Sequence, residues 1–365
     1  MAKLLFITNS LSFGGAEKIL CFVAESLAER GHEITIVNRG RVDKDTTYRR
    51  TFSDLVEVCG LTSQNKLKQI MTIRKIAKKM RADMVIGFTQ MPNFMACVVG
   101  KCLHIPAVIC ERGDPNHTIT SSWKDKVVMS VINKARGGVF QTEGAADYYS
   151  EGLKKRGAVI PNPIFVTGEI PPVPKRRPKT VVSVGRLDNK QKRYDLMITA
   201  FALFERLNPG YVLKLYGEGP DKEMLADYAE ELGIASQVKF MGLTTTPMQD
   251  IAGEGMFVIT SDYEGISNAL LEAMAVGLPC ISTDSSPGGA AMLIESGISG
   301  ILTPCGDIHK LTRAMCIFAE DEELALSCGL AAKNVLQRFE PQKIMDMWER
   351  YLLSLLPKIQ ETHTK

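Results

Sequence analysis

Short runs of consecutive apolar, β-favouring residues recur along the chain. The first set is KLLFIT (3–8), EITIVN (33–38), MVIGF (84–88), AVIC (107–110) and GVFQT (138–142). Between several of them, apolar positions return at helical spacing, over 15–30, 66–81 and 123–135. Runs that are apolar at every position predict strands buried on both faces. Strands alternating with helices predict a parallel sheet covered on both sides.

The alternation stops at IPNPIFVTGEIPPVPKRRPK (160–179), whose six prolines and KRR cluster continue neither a helix nor a strand. It then restarts with TVVSVG (180–185), YVLKLYG (211–217), QVKFMG (237–242), MFVIT (256–260), PCIST (279–283) and SGILT (299–303). The pattern predicts two doubly wound α/β domains, 1–164 and 180–340, joined by a linker at 165–179. A helix of about 341–360 is free to pack back on the first. A length of 365 residues suits two cores better than one. Ligands of such sheets bind beyond the carboxyl ends of the strands, so two facing domains would form a cleft.

Charge adds an asymmetry. Residues 1–166 hold 24 Lys and Arg against 15 Asp and Glu, a balance of +9; the remainder holds 44 − 24 = 20 against 41 − 15 = 26, or −6. A basic half points to an anionic surface, with ordinary surface variation as the alternative. In the predicted helix at 65–81, Leu67, Ile70, Ile73, Ala77 and Met80 form a stripe expected to pack on the sheet. Lys66, Lys68, Arg74, Lys75, Lys78, Lys79 and Arg81 cover much of the rest, a face suited to anionic lipid headgroups. The nine cysteines contain no C-x-x-C pair, which leaves zinc and redox motifs without support and fits a reducing cytosol. MAKLLFITNS is too short for a signal peptide or a span, and FMACVVGKCLHIPAVIC is broken by Lys101, His104 and Pro106. The expectation is a cytoplasmic protein, peripheral on the membrane at most, with no nucleic-acid partner.

Three stretches carry candidate chemistry. Gly14 and Gly15 lie between a strand end and a helix start, where free N–H groups favour a phosphate; a plain tight turn reads equally well from two glycines. In VGRLDNKQKRYD, Arg186 follows a strand and Lys192 and Arg193 precede a helix. Arg186 and Lys192 can converge on one anion, whereas Lys190 and Arg193 read as a solvated basic turn. In SDYEGISNALLEAMAVGLPCISTD, Glu264 lies in a turn, and the backbone of Gly265, Ile266, Ser267 and Asn268 opens a helix that carries Glu272 among apolar residues. A buried carboxylate is costly unless it gains donors, which ligand hydroxyls or a core cation supply.

EGISNALLE, with SFGGAEK, VIPNPI, VGRL…K…D and PGGAAMLIESGISGILTPCGD in this order, resembles the E-x7-E retaining glycosyltransferases of family 4, which have the GT-B fold of two Rossmann-like domains. The resemblance covers nearly the whole chain. It implies a nucleotide-diphosphate sugar donor, with Arg186 and Lys192 gripping the diphosphate, Glu264 holding the sugar, Glu272 the ribose and Gly15 facing the diphosphate. The family usually spaces Arg and Lys by five; here the gap is six, which keeps Lys190 as a rival. Members often carry a histidine after the strand at 107–110. Here Glu111 and Arg112 stand there and His117 follows, and Glu111 is the one candidate for a base. The ER-x-x-P stretch resembles the branch that builds bacterial surface polysaccharides and lipid-linked oligosaccharides, often from UDP-sugars, with a glycan or polyprenyl-linked acceptor. No metal and no other cofactor is expected, and the D-x-D string Asp43–Asp45 reads as a charged loop. A nucleotide-sugar 2-epimerase and a non-catalytic nucleotide-sugar-binding subunit are the rival readings.

Overall fold

The computed structural model describes residues 1–11, 15–40, 52–120, 122–166 and 168–357. The chain divides into two compact units, residues 1–161 with 342–365, and residues 162–341.

The first unit contains β1 (Lys3–Thr8), α1 (Gly15–Glu29), β2 (Glu33–Asn38), β3 (Val56–Gly60), α2 (Lys66–Met80), β4 (Met84–Phe88) and α3 (Gln90–Leu103). It continues with β5 (Ala107–Cys110), α4 (Pro115–Thr118), α5 (Trp123–Ile132), β6 (Gly137–Phe140), α6 (Glu143–Asp147), α7 (Glu151–Arg156) and β7 (Ala158–Val159). Its sheet is parallel, in the order β3-β2-β1-β4-β5-β6-β7. β4, β5 and β6 are buried at every position, as both-face burial of an apolar run requires.

The second unit contains β8 (Thr180–Val184), α8 (Asn189–Lys192), α9 (Tyr194–Leu207), β9 (Val212–Tyr216), α10 (Lys222–Glu231), β10 (Val238–Gly242), α11 (Pro247–Ile251) and β11 (Met256–Ile259). Then come α12 (Asn268–Ala275), β12 (Cys280–Thr283), α13 (Gly289–Leu293), β13 (Ile301–Thr303), α14 (Ile308–Glu320), α15 (Glu322–Ala332) and α16 (Val335–Arg338). This sheet is also parallel, in the order β10-β9-β8-β11-β12-β13. Strand order reverses between β1 and β4 in one unit and between β8 and β11 in the other. Those are the points where doubly wound sheets open a crevice for ligands.

The last helix, α17 (Pro341–Leu355), packs on the first unit. Trp348 is fully buried and stacks on Phe88, with ring centroids 6.0 Å apart and planes 8° from parallel. Arg30 bonds Asp346 at 2.6 Å and Glu349, and His32 lies 3.0 Å from Glu349. The proline-rich segment belongs to the second unit. Its Arg177 is sunk in that unit, donating to the carbonyls of Glu254 (2.6 Å) and Gly277 (2.7 Å), and burial lowers its pKa.

Two expectations are corrected here. Leu67 does not pack on the sheet: it is 72% exposed, as Met71 is at 61%. The rest of the stripe does pack: Ile73 and Ala77 are buried, Ile70 and Met80 lie against the same core, and Gln69 is buried beside them, satisfied by the Ser63 carbonyl and Arg39. Arg193 is no solvated turn residue. It chelates Asp195 with two 3.0 Å bonds and reaches Asp262 at 2.9 Å. The bonds to Asp195 raise its already high pKa. The cysteines are mostly buried, and burial pushes the Cys97 and Cys110 thiols up to about 12, which keeps them unreactive.

Candidate active site

The second unit assembles its polar residues at the carboxyl ends of β8 and β11, beside the reversal of strand order. Chain geometry at the end of β8 is set by glycines. A Cβ on Gly217 would stand 1.9 Å from the Gly185 carbonyl oxygen, and one on Gly219 2.2 Å from that of Leu187. The Y-G-E-G turn after β9 therefore lies directly on the loop of Arg186, tied by Leu187 N–H donating to the Glu218 carbonyl at 3.1 Å. Arg186 itself is exposed at the end of this loop.

Lys192 ends α8. Its stem passes over Gly185, where a Cβ would touch the Lys192 Cε at 3.7 Å. Its ammonium is ion-paired with Glu264 Oε2, and the two side chains are only 15% and 21% exposed. Ser261 Oγ (3.3 Å) and Gln191 Nε2 (3.4 Å) converge on the same oxygen. Oε1 receives no hydrogen bond among the described residues. Lys190, the rival cation, is exposed on the same helix. The Thr260 hydroxyl donates to the Lys192 carbonyl at 2.8 Å, fixing this turn to the end of β11.

The EGISN segment is equally constrained. Glu264 N–H donates to the Ser286 carbonyl at 2.8 Å. A Cβ on Gly289 would sit 1.9 Å from the Gly265 carbonyl oxygen, so only glycine lets the P-G-G turn close on this loop. Gly265, Ile266 and Ser267 are buried. Ser267 is the N-cap of α12, its hydroxyl accepting from Leu270 N–H at 3.3 Å. Glu272 lies in the second turn of α12 and is half-buried. Asn162 holds the segment from beneath, its side-chain amide reaching the Ile266 carbonyl (3.3 Å) and Asn268 Oδ1 (3.1 Å).

In the first unit, Gly15 opens α1 after β1, while Gly14 and the Asp43–Asp45 string lie outside the described residues. Glu111 is buried, and both its oxygens are hydrogen-bonded: Oε1 accepts from the N–H groups of Arg112 (2.9 Å) and Gly113 (3.1 Å), Oε2 from the Tyr149 hydroxyl (2.7 Å). These bonds shape the loop after β5. Arg112 is buried too, its guanidinium 5.8 Å from the Phe88 ring centroid and 5.2 Å from that of Trp348. Burial brings its pKa down to about 10. Asn9 and Thr89, at the ends of β1 and β4, bond at 2.9 Å, and Thr89 has a left-handed φ of 74°. Such strain persists only where surrounding contacts fix it.

Two family models match. "Glycosyltransferase Family 4" spans residues 13–167, and "Glycosyl transferases group 1" spans residues 169–335. The chain belongs to the family 4 glycosyltransferases. An "uncharacterized glycosyltransferase" of Haemophilus influenzae is 23% identical over 359 residues, covering 95% of this chain and 98% of that one. From Campylobacter jejuni, "GalNAc-alpha-(1->4)-GalNAc-alpha-(1->3)-diNAcBac-PP-undecaprenol alpha-1,4-N-acetyl-D-galactosaminyltransferase" is 24% identical, over 95% of this chain and 97% of that one. Among solved structures, Anabaena HepE in complex with UDP superposes with a TM-score of 0.80 at 19% identity, covering 97% of this chain and 100% of the other. The likeness shows a GT-B fold.

Sequence reasoning missed several residues of this glycosyltransferase. Gly217 and Gly219 could have been found from the G-E-G that ends a strand, a signal of close backbone approach. Asn162 stood in the quoted VIPNPI without a role. Gln191 and Ser261 carried no local signal.

Proposed function

We propose that the protein is a retaining glycosyltransferase that moves a sugar from a UDP-sugar to a glycan acceptor carried on a lipid. The observation that carries this reading is the convergence of Lys192, Gln191 and Ser261 on one oxygen of Glu264, which leaves the other oxygen for the donor sugar. Arg186 and the Lys192 ammonium, which has three N–H donors, bind the diphosphate. Glu272 takes the ribose hydroxyls, and the N–H groups of residues 265–268 complete this half of the donor site. The C1–oxygen bond to the diphosphate breaks, and its electron pair leaves with the phosphate oxygen. The acceptor hydroxyl oxygen bonds C1 on the same face, and its proton passes to the departing phosphate. The cations and N–H groups stabilise the charge that develops on that oxygen. No side-chain base is assigned. UDP in the HepE structure supports the nucleotide, and the undecaprenol-linked acceptor of the Campylobacter relative supports the lipid carrier.

The protein would work at the cytoplasmic face of the membrane, held by the basic face of α2. No helix among the described residues is long and apolar enough to cross a membrane. The deciding experiment is a thermal-shift panel of UDP, GDP and their sugars. A ligand at 100 times its Kd adds about 2.7 kcal/mol of stability. A GDP-only response overturns the donor assignment. Transfer that persists in EDTA supports charge neutralisation by Arg186 and Lys192 alone; activity lost in EDTA and restored by manganese refutes it.

A further inference from the structure

We propose that a groove on the first unit binds one anionic phospholipid, with an acyl chain inside and the phosphate on a basic rim. The groove has a volume of about 690 Å³ and lies where the ends of α3, α5 and α17 meet the start of β5. That size falls within the roughly 300–1,000 Å³ of ligand pockets. Its walls are apolar: Ile105, Pro106, Val131, Ala135 and Leu355. Its ionisable rim is Lys101, His104, Lys134 and Arg136, all exposed, and no Asp or Glu among the described residues lines it.

This pairing of surfaces selects the occupant. An apolar trough alone would suit many partners, but cations at its mouth with no acidic neighbour among the described lining residues call for an anion beside a hydrocarbon. Arginine offers a forked pair of donors to phosphate and lysine a point charge. A phospholipid with an anionic headgroup supplies both parts in one molecule.

The surrounding layer supports a bilayer as the source. α2 packs on α3, and α3 on α5. α5, whose C-terminal end lines the groove, exposes Trp123 (72%) and Val127 (53%) in its first turns, one turn apart, beside the exposed Lys124 and Lys126. α2, which packs on α3, exposes Leu67 and Met71 among its lysines and arginines. Tryptophan with nearby basic residues is the composition of a membrane–water boundary. The groove is distinct from the proposed sugar-transfer residues: none of Gly15, Arg186, Lys192, Glu264 and Glu272 lines it. The inference rests on the membrane reading only for the source of the lipid.

Monomeric lipid tests the groove without a bilayer. The full chain is titrated calorimetrically with short-chain phosphatidylglycerol below its micelle concentration, with phosphatidylcholine of equal chain length, and with glycerol phosphate. We expect saturable one-to-one binding of phosphatidylglycerol, phosphatidylcholine weaker by about tenfold or more, and no competition from glycerol phosphate. Lys134→Glu with Arg136→Glu should weaken binding by roughly tenfold or more, and Val131→Trp, which fills the groove, should abolish it. Unchanged circular-dichroism melting shows that each variant folds. If Val131→Trp melts early, Val131→Phe replaces it. Equal affinity for both lipids, or full binding by a folded groove-filling variant, overturns the proposal. Equal binding of glycerol phosphate would make this a free-anion site. Lipid binding lost on charge reversal in α2 alone would move the site to that helix. Self-association abolished by Lys134→Glu would assign the groove to a second copy of the chain.

Discussion

Lys192 and Glu264, 72 residues apart, are ion-paired at the mouth of the second unit's sheet. Each is the other's counter-charge before any ligand arrives. On the proposed reading, a diphosphate then meets an ammonium already oriented. Lys192→Ala should therefore lower turnover by about 10²–10³, the usual cost of removing one stabilising donor. Lys190→Ala, exposed on the same helix, should leave it within about twofold. Steady-state kinetics on both variants checks this. Normal turnover in Lys192→Ala with collapse in Lys190→Ala reverses the assignment.

The two glutamates of the E-x7-E segment should separate. Glu264→Gln keeps shape but weakens the bond to Lys192 and to the sugar, so kcat and sugar discrimination should fall while UDP affinity changes little. Glu272→Gln should weaken UDP itself, by about fivefold to tenfold for one charge-assisted hydrogen bond. Calorimetric titration of UDP beside donor-dependent kinetics distinguishes them. Equal loss of UDP affinity in both variants ends the division of labour.

Much of this could be read before the fold was known, for a physical reason. Strands buried on both faces announce themselves as apolar runs, and KLLFIT, EITIVN, MVIGF and AVIC match β1, β2, β4 and β5 residue for residue. β3 escaped because VEVCG carries a glutamate and is only partly buried, and β7 because it has two residues. α3 escaped because its apolar residues run on without a polar face before Lys101. In the site, Ser267 capping and Glu264 were local features. The Asp262 arm of the Arg193 clamp, the Asn162 prop and the Tyr149 bond to Glu111 depend on partners far along the chain, which no local pattern encodes. Leu67 was misplaced because a stripe at helical spacing does not show where the helix stops touching the sheet.

The anchor of α17 should weaken in acid. The bond to His32 and then those to Arg30 hold the Glu349 carboxyl below its usual range, and Arg30 does the same for Asp346. A depressed folded-state pKa contributes stability above the unfolded value and loses it as pH falls through the folded one. The loss should therefore begin below about pH 4.3, the ordinary glutamate value. Thermal melts from neutral pH downward should show a steeper acid decline in the wild type than in Asp346→Asn with Glu349→Gln, which starts less stable. Parallel curves would show that the cluster contributes nothing to the acid transition.

The basic face of α2 makes the last prediction. Lys66, Lys68, Arg74, Lys75, Lys78, Lys79 and Arg81 are all exposed, and Leu67 and Met71 stand uncovered among them. Each cation near an anionic surface is worth roughly 1 kcal/mol, so several suffice for peripheral attachment. The exposed Leu67 and Met71 add apolar area that can enter the headgroup region. The protein should sediment with anionic but not zwitterionic liposomes, and release should follow added salt as the Debye length shrinks to about 3 Å at 1 M. Reversing Arg74, Lys75, Lys78 and Lys79 to glutamate should abolish sedimentation and leave the UDP thermal shift intact, because none of the four belongs to the donor site. Leu67→Ser with Met71→Ser should weaken attachment less and leave its salt dependence in place. Undiminished sedimentation of the four-charge variant would remove α2 from membrane contact and make a freely soluble acceptor the better reading.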